Sequence, residues 1–497
     1  MPAPVVAGPR AIIEPAPARP PRLRIIGSND FHGAIEPRPD ANGALRGGGA
    51  IFAAAVRAAE SGCSLPDCAT ILLDGGDMFQ GTPASNLASG RPVIEIYNYL
   101  GYSAAALGNH EFDWTQDTLR AMMASAAYSI MGANVRFADG RDVPWIPNDT
   151  IVRRGPITIG VIGISTVGTA TTTMAGNVAD LRFVDPVPVI DSIAPALRTR
   201  GAQVVIVVAH AGGTCNPSGC EGEVIDIANR VTAKVDAIIG GHTHSRINTV
   251  VRGIPVVEAR SRGQAIDIID LQVGTPVTTL LHEVREIYTD SIAPLPAVQA
   301  IVQRALSRVA PIANKPIANV AESMRVGGRQ FALGNLIADA MRVVGHGDIG
   351  LMNNGGIRQA LQAGPATYGT LFEIQPFANT LVRVRVRGGD VRAFLQRALK
   401  TGSPNFHISG ARVVYHTAPT AAVDSITIGD LPLDDTAVYT VVQSDFTATG
   451  GDALGFGVAA ISTASVGVTD LDALIAYLKS LPQPVSAPTA PRLIDRP

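Results

Sequence analysis

The sequence predicts an α/β chain of two domains, on three observations. The chain has 497 residues, more than one core of ordinary size encloses. From Leu23 onward, short apolar runs rich in Val and Ile alternate with helix-like segments, the pattern of a layered sheet. Five of these runs stop at a polar cluster: LRIIGSNDFHG, TILLDGGDMFQG, ALGNHEFD, QVVIVVAHAGG and VDAIIGGHTHS.

Each element has its reason. Residues 1–22 are rich in Pro and Ala without a continuous apolar stretch, and read as a disordered leader. The five apolar runs read as buried strands. GGGAIFAAAVRAAES and residues 116–127 read as helices between them. A first domain is expected over 23–292. A linker follows over 293–314, helical across residues 297–309. A second α/β domain is expected over 315–495, with strand-like runs TLVRVRVRG and TAVYTVVQSDF and Gly-rich loops NNGGIR and TGGDALGF. TLVRVRVRG alternates apolar and basic residues, as a strand with one solvated face does. The final PQPVSAPTAPRLIDRP reads as a tail.

Composition narrows the function. Hydrophobic residues make up 46 % and charged ones 16 %, a globular balance. The net charge is -2, so no basic surplus exists to hold a nucleic-acid polymer. A nucleotide-sized ligand needs only a few local charges. No apolar stretch reaches the roughly 18 residues that span a bilayer. The four cysteines form two i, i+5 pairs, Cys63 with Cys68 and Cys215 with Cys220. Short disulfide loops in an oxidising compartment are the favoured reading; reduced surface thiols and zinc binding are the alternatives.

The polar clusters carry the chemistry. At the run ends stand Asp30, His32, Asp77, Asn109, His110, Asp113, His210, His242 and His244. Five of the nine histidines are in this set. Imidazole with carboxylate and amide oxygen suits divalent Zn, Mn or Co. Asp30 and His32 are i, i+2, and on extended backbone would point the same way. His242 and His244 repeat the spacing. Asp77, after GG, suits a carboxylate bridging two ions. A lone strand-end His or Asp is ordinarily a turn or capping residue. Five clusters in one chain argue for a shared site in the crevice beyond the strand ends.

In this order, D-x-H, GGD, GNHEFD, the His of VVAH, and GHTH resemble the calcineurin-like dinuclear metallophosphoesterases, layered β-sandwiches flanked by helices. MNNGGIR, TYGTLFEIQPFAN, HISGARVVY and TGGD resemble the C-terminal, nucleotide-recognising domain of 5′-nucleotidases and UDP-sugar hydrolases. The resemblance implies two divalent ions. One would be held by Asp30, His32, Asp77 and His244, the other by Asp77, Asn109, His210 and His242. It implies that His110 is catalytic, with Asp113 three residues on to orient the imidazole. Glu111 receives no role and is expected at the surface or behind the ligands.

For the substrate, the resemblance implies contacts from Asn353, Arg358 and Asp452, and more weakly from Arg329, with Arg325 as its alternative. Phe377 matches one of two rings that sandwich a base. The second is sought after TGGD, where Leu454 holds the direct register and Phe456 follows. The implied activity is removal of the 5′-phosphate of nucleotides, extending to nucleoside di- and triphosphates or UDP-sugars. Alternatives on the scaffold are a 2′,3′-cyclic-nucleotide phosphodiesterase, a thiosulfohydrolase, and a non-catalytic nucleotide-binding surface protein. A monomer or dimer in the periplasm or secreted is expected.

Overall fold

The computed structural model describes residues 20–40, 43–400 and 404–496. Residues 1–19 of the expected leader lie outside the described residues. Two six-stranded sheets face each other in the first half. One runs in the order Thr278–Glu286, Ala265–Gln272, Arg22–Ser28, Cys68–Asp74, Ala104–Ala106, Ser129–Met131. The other runs Arg246–Val251, Ile254–Ala259, Ala237–Ile239, Val204–His210, Ile157–Ser165, Asp149–Arg154. Leu73, Ile71 and Met131 of one inner face meet Ile206, Val208 and Ile239 of the other, all fully or nearly fully buried. Helices cover both outer faces: Gly49–Glu60 and Arg91–Leu100 on the first sheet, Pro186–Thr199 and Glu223–Arg230 on the second. With both faces covered, the central strands are continuously apolar, which is why they read as unbroken Val and Ile runs.

Arg22–Ser28, Cys68–Asp74 and Ala104–Ala106 are mutually parallel, as are Val204–His210 and Ala237–Ile239. All five polar clusters therefore emerge at the carboxyl ends of strands, three from one sheet and two from the other. The helix Pro296–Ala313 follows, longer at both ends than the 297–309 expected. It is docked, burying Val298, Val302 and Ala305 against the first domain's helical layer.

In the second half, a five-stranded sheet has the order Phe406–Ser409, Ile349–Asn353, Val438–Ser444, Thr380–Arg387, Ser462–Thr469. Thr380–Arg387 is the TLVRVRVRG strand; its valines are buried, while Arg385 and Arg387 are exposed. The C-terminal segment departs from expectation: Leu493–Arg496 pairs in parallel with Ala411–His416 and completes a four-stranded sheet. Its Leu493 is buried in the core, and a lone Leu-Ile pair at the end of a proline-rich stretch is a weak strand signal. Cys63 is bonded to Cys68, and Cys215 to Cys220, so both pairs take the disulfide reading.

The halves meet through side chains. Arg38 forms a two-pronged ion pair with Glu373. Gln80 and Asn86 donate to the Pro376 carbonyl at 3.2 and 3.1 Å.

Candidate metal and nucleotide site

The polar clusters converge in two groups of metal-binding type. Asp30, His32 and His244 form one; Asp77, His210 and His242 form the other. Within each group the donor atoms lie within 4.8 Å of one another. The Asp77 carboxylate stands between them: Oδ2 is 3.1 Å from His210 Nε2 and 3.8 Å from His32 Nε2. Asn109 joins the second group, with Oδ1 3.1 Å from His210 Nε2.

The backbone explains how i, i+2 residues reach one point. Asp30 and His32 lie past the end of their strand, with φ of 50° and 51°. Asp77 has φ 57°, and His242 and His244 have 79° and 56°. The extended geometry expected for the two pairs is replaced by left-handed residues, which curl each loop and turn its side chains inward. Such φ values are unfavourable for non-glycine residues, of order 1–3 kcal/mol each, and persist only where the surroundings dictate them. Gly108 shows why glycine precedes Asn109: a Cβ there would lie 2.1 Å from Asp77 Oδ1.

The carboxylates fit cations better than they fit the protein alone. Asp30 is fully buried, and its Oδ1 has no hydrogen-bond partner. Burial would raise the Asp77 carboxyl, but the His210 and His110 imidazoles outweigh it and hold it well below the usual range. Burial likewise opposes the His210 imidazolium, and the Asp77 carboxylate overrides it, bringing that imidazole up to about 10. Borderline nitrogen donors with oxygen donors suit divalent first-row ions.

Glu111, unassigned from the sequence, is fully buried behind the ligands. Its Oε2 accepts from the Asp77 and Gly108 N–H groups, and its Oε1 from Met78 N–H, each at 2.8 Å. One carboxylate therefore ties the GGD loop to the GNHE loop. Burial and the neighbouring Asp77 push Glu111 up to about 8. Glu258 does the same for GHTH, accepting from Ser245 N–H at 2.9 Å and lying 2.9 Å from the Thr243 hydroxyl. The role of neither residue is legible in the sequence, because nothing in it marks a carboxylate that accepts backbone N–H groups.

His110 points into the cleft beside the metal groups. Its Nδ1–H donates to Asp113 Oδ2 at 2.6 Å, and Thr173 donates to Asp113 Oδ1 at 2.9 Å. Burial would lower His110, but Asp113 and Asp77 carry it above the ordinary value.

The second domain closes the other wall. Asn353, Arg358, Phe377 and Asp452 line the same cleft as Asp77, Asn109, His110 and His242. Phe377 stacks on His110, with centroids 5.3 Å apart and planes 23° apart. Arg358 Nη2 lies 3.4 Å from His32 Nε2. Asn353 donates to Asp452 Oδ2 at 2.7 Å.

Two expected contacts fall elsewhere. Arg329 is exposed and paired with Asp495 at 2.9 Å; its alternative, Arg325, is also exposed and outside the cleft. Phe456 packs on Phe394 at 4.9 Å, and Leu454 is buried in the same core. The ring that lines the cleft is Phe446, before the Gly-Gly turn instead of after it. The turn folds back on that ring: a Cβ on Gly451 would lie 2.4 Å from Phe446 Cζ. The chain after it is thereby carried into the core. Thr172, Thr173 and Met174 also line the cleft and had no signal in the sequence.

Two family models match separate stretches of the chain. Residues 23–246 match the calcineurin-like phosphoesterase family, and residues 309–460 match the 5′-nucleotidase C-terminal domain. Calcineurin-like phosphoesterases use divalent metals. Endonuclease YhcR of Bacillus subtilis is 30 % identical over 93 % of this chain, which spans 40 % of that protein's length. The snake venom 5′-nucleotidase of Naja atra is 26 % identical, over 92 % of this chain and 96 % of its own. A 5′-nucleotidase precursor from Thermus thermophilus shares the fold with a TM-score of 0.84 at 24 % identity, covering 95 % of this chain and 99 % of its own. The Thermus sulfate thiohydrolase SoxB shares it at 0.76 and 18 %, covering 97 % and 98 %.

Because Glu111 orders both ligand loops, Glu111→Ala is expected to weaken divalent-ion binding by at least about tenfold. Metal retained after dialysis, measured by elemental analysis, checks this. Unchanged retention contradicts the role.

Proposed function

The chain belongs to the 5′-nucleotidase family of calcineurin-like phosphoesterases, and we propose that it removes the 5′-phosphate of nucleotides with the help of two divalent ions. It is a phosphoester hydrolase. The observation that carries the finer reading is one cleft lined on one side by metal-binding residues and on the other by two aromatic rings with hydrogen-bonding partners.

In this reading Asp30, His32, Asp77 and His244 hold one ion, and Asp77, Asn109, His210 and His242 hold the other. Bound there, divalent ions supply Lewis acidity and make water more acidic. The residues of the chain do the rest. The Nδ1 bond to Asp113 fixes the tautomer and orientation of His110, so Nε2 faces the departing 5′-oxygen and can give it a proton. Arg358 sits where it meets phosphoryl oxygens. Phe377 and Phe446 offer flat apolar surface to a base, and Asp452, already holding Asn353, accepts from ribose hydroxyls. The two disulfides, together with relatives in a venom and in a Listeria cell wall, support an exported location for this protein.

The reading is tested by phosphate release with added Mn²⁺, Zn²⁺ or Co²⁺ and a chelator control. The panel holds AMP, ADP, UDP-glucose, 2′,3′-cAMP, p-nitrophenyl phosphate and single-stranded DNA. Metal-dependent turnover of AMP well above p-nitrophenyl phosphate is expected. Preference for the cyclic nucleotide or for DNA, or activity on the generic ester alone, contradicts it. His110→Ala is expected to lower AMP turnover about 10²–10⁴-fold with metal content intact. Phe446→Ala is expected to raise the KM for AMP and spare p-nitrophenyl phosphate, because only the nucleoside reaches that ring. Equal effects on both substrates would remove Phe446 from base recognition.

A further inference from the structure

Beside the metal groups, apart from the aromatic rings, lies a second, nearly filled space. His32, Arg38, Thr82, Arg262, Arg358 and Glu373 line it. About 10 Å³ remains, room for roughly one water. Arg358 lines both this space and the main cleft. Arg38 is neutralised by Glu373. Arg262 is not neutralised. Its N–H donates to the Asp30 carbonyl at 2.7 Å, and its guanidinium donates to the Arg358 carbonyl and, at 3.2 Å, to Gln359 Oε1. These are neutral acceptors. Among the described residues, neither Arg262 nor Arg358 forms an ion pair with a carboxylate.

Two guanidiniums without an ion pair line this space, Arg358 against His32 and Arg262 against the Arg358 carbonyl, and an anion nearby would offset the cost of burying them. Arg262 is itself strained, with φ 58°, as a residue held in place by its surroundings is. Through His32 and Arg358 this space adjoins the metal-binding groups and the main cleft. A phosphate there presents its non-leaving oxygens to the surrounding walls. A monoester has three such oxygens and carries up to two negative charges. A diester carries one charge, and its second substituent needs room.

We propose that Arg262 is a specificity-determining residue: it fills the side of the metal centre away from the aromatic rings and, with Arg358, supplies positive charge that favours a terminal phosphate dianion over a phosphodiester. The proposal rests on the phosphohydrolase reading above, but not on nucleotide recognition.

The test compares p-nitrophenyl phosphate with bis(p-nitrophenyl) phosphate on the metal-loaded protein, for wild type, Arg262→Met and Arg262→Lys. Methionine keeps much of the bulk and removes the charge; lysine keeps the charge. The monoester-to-diester ratio of kcat/KM is expected to fall at least about tenfold in Arg262→Met and to be largely retained in Arg262→Lys. Calorimetric titration of inorganic phosphate is expected to show binding weakened by a similar factor in Arg262→Met. A parallel fall on both esters means that Arg262 only joins the domains, and overturns the proposal. An unchanged ratio with unchanged phosphate affinity overturns it as well. Wild type that turns over the generic esters but no nucleotide would fail the nucleotidase reading alone, leaving this comparison intact. If neither ester is turned over, the phosphate titration decides.

Discussion

Everything at this site depends on two buried carboxylates, Asp30 and Asp77, placed where two facing sheets end together. A buried carboxylate is costly unless something positive or hydrogen-bonding meets it. Here the protein supplies imidazoles, and one oxygen of Asp30 has only those imidazoles near it and no hydrogen-bond partner. Five left-handed residues hold the candidate donors in position. The β-sandwich makes this possible: its dry inter-sheet core fixes the five loop origins, and the buried carboxylates of Glu111 and Glu258 knit the loops to one another. The centre is stiff because its strain, its burial and its hydrogen bonds all specify one arrangement.

In the proposed function, the second domain gives this centre a particular substrate shape. Phe377 reaches across to stack on His110, so the proposed proton donor and the proposed base-holding ring form one surface. Arg38 with Glu373, and Pro376 with Gln80 and Asn86, tie the same loop region to the first domain. In the proposed function, the phosphate end is read by ions and guanidiniums and the nucleoside end by flat rings and a carboxylate. The two ends demand opposite environments, and the chain meets them by building the cleft from two separate folds.

Much of this was legible in the sequence where a local pattern has one physical meaning. Buried parallel strands leave unbroken Val and Ile runs, and loops at their ends leave His, Asp and Gly clusters. That placed Asp30, His32, Asp77, Asn109, His210, His242 and His244 together, although by extended geometry that the left-handed residues replace. Other positions depend on how distant segments pack. Phe446 and Phe456 flank the same Gly-Gly turn, and only the closure of Gly451 onto the Phe446 ring decides which faces the cleft. Arg329, the weaker of the arginine candidates, falls away only because Asp495, 166 residues along the chain, pairs with it. Glu111 stood inside the most informative motif, but its partners are backbone N–H groups, which every sequence offers everywhere. Leu493–Arg496 shows the same limit for the fold, being a strand only because Ala411–His416 stands ready to pair with it.

The most direct test is a crystal structure of the Mn²⁺-loaded protein with a non-hydrolysable AMP analogue, using anomalous scattering to locate the metal. The account predicts two ion peaks flanking the Asp77 carboxylate, and an adenine ring between Phe377 and Phe446. A single ion, ions away from Asp77, or a base lodged elsewhere would contradict it.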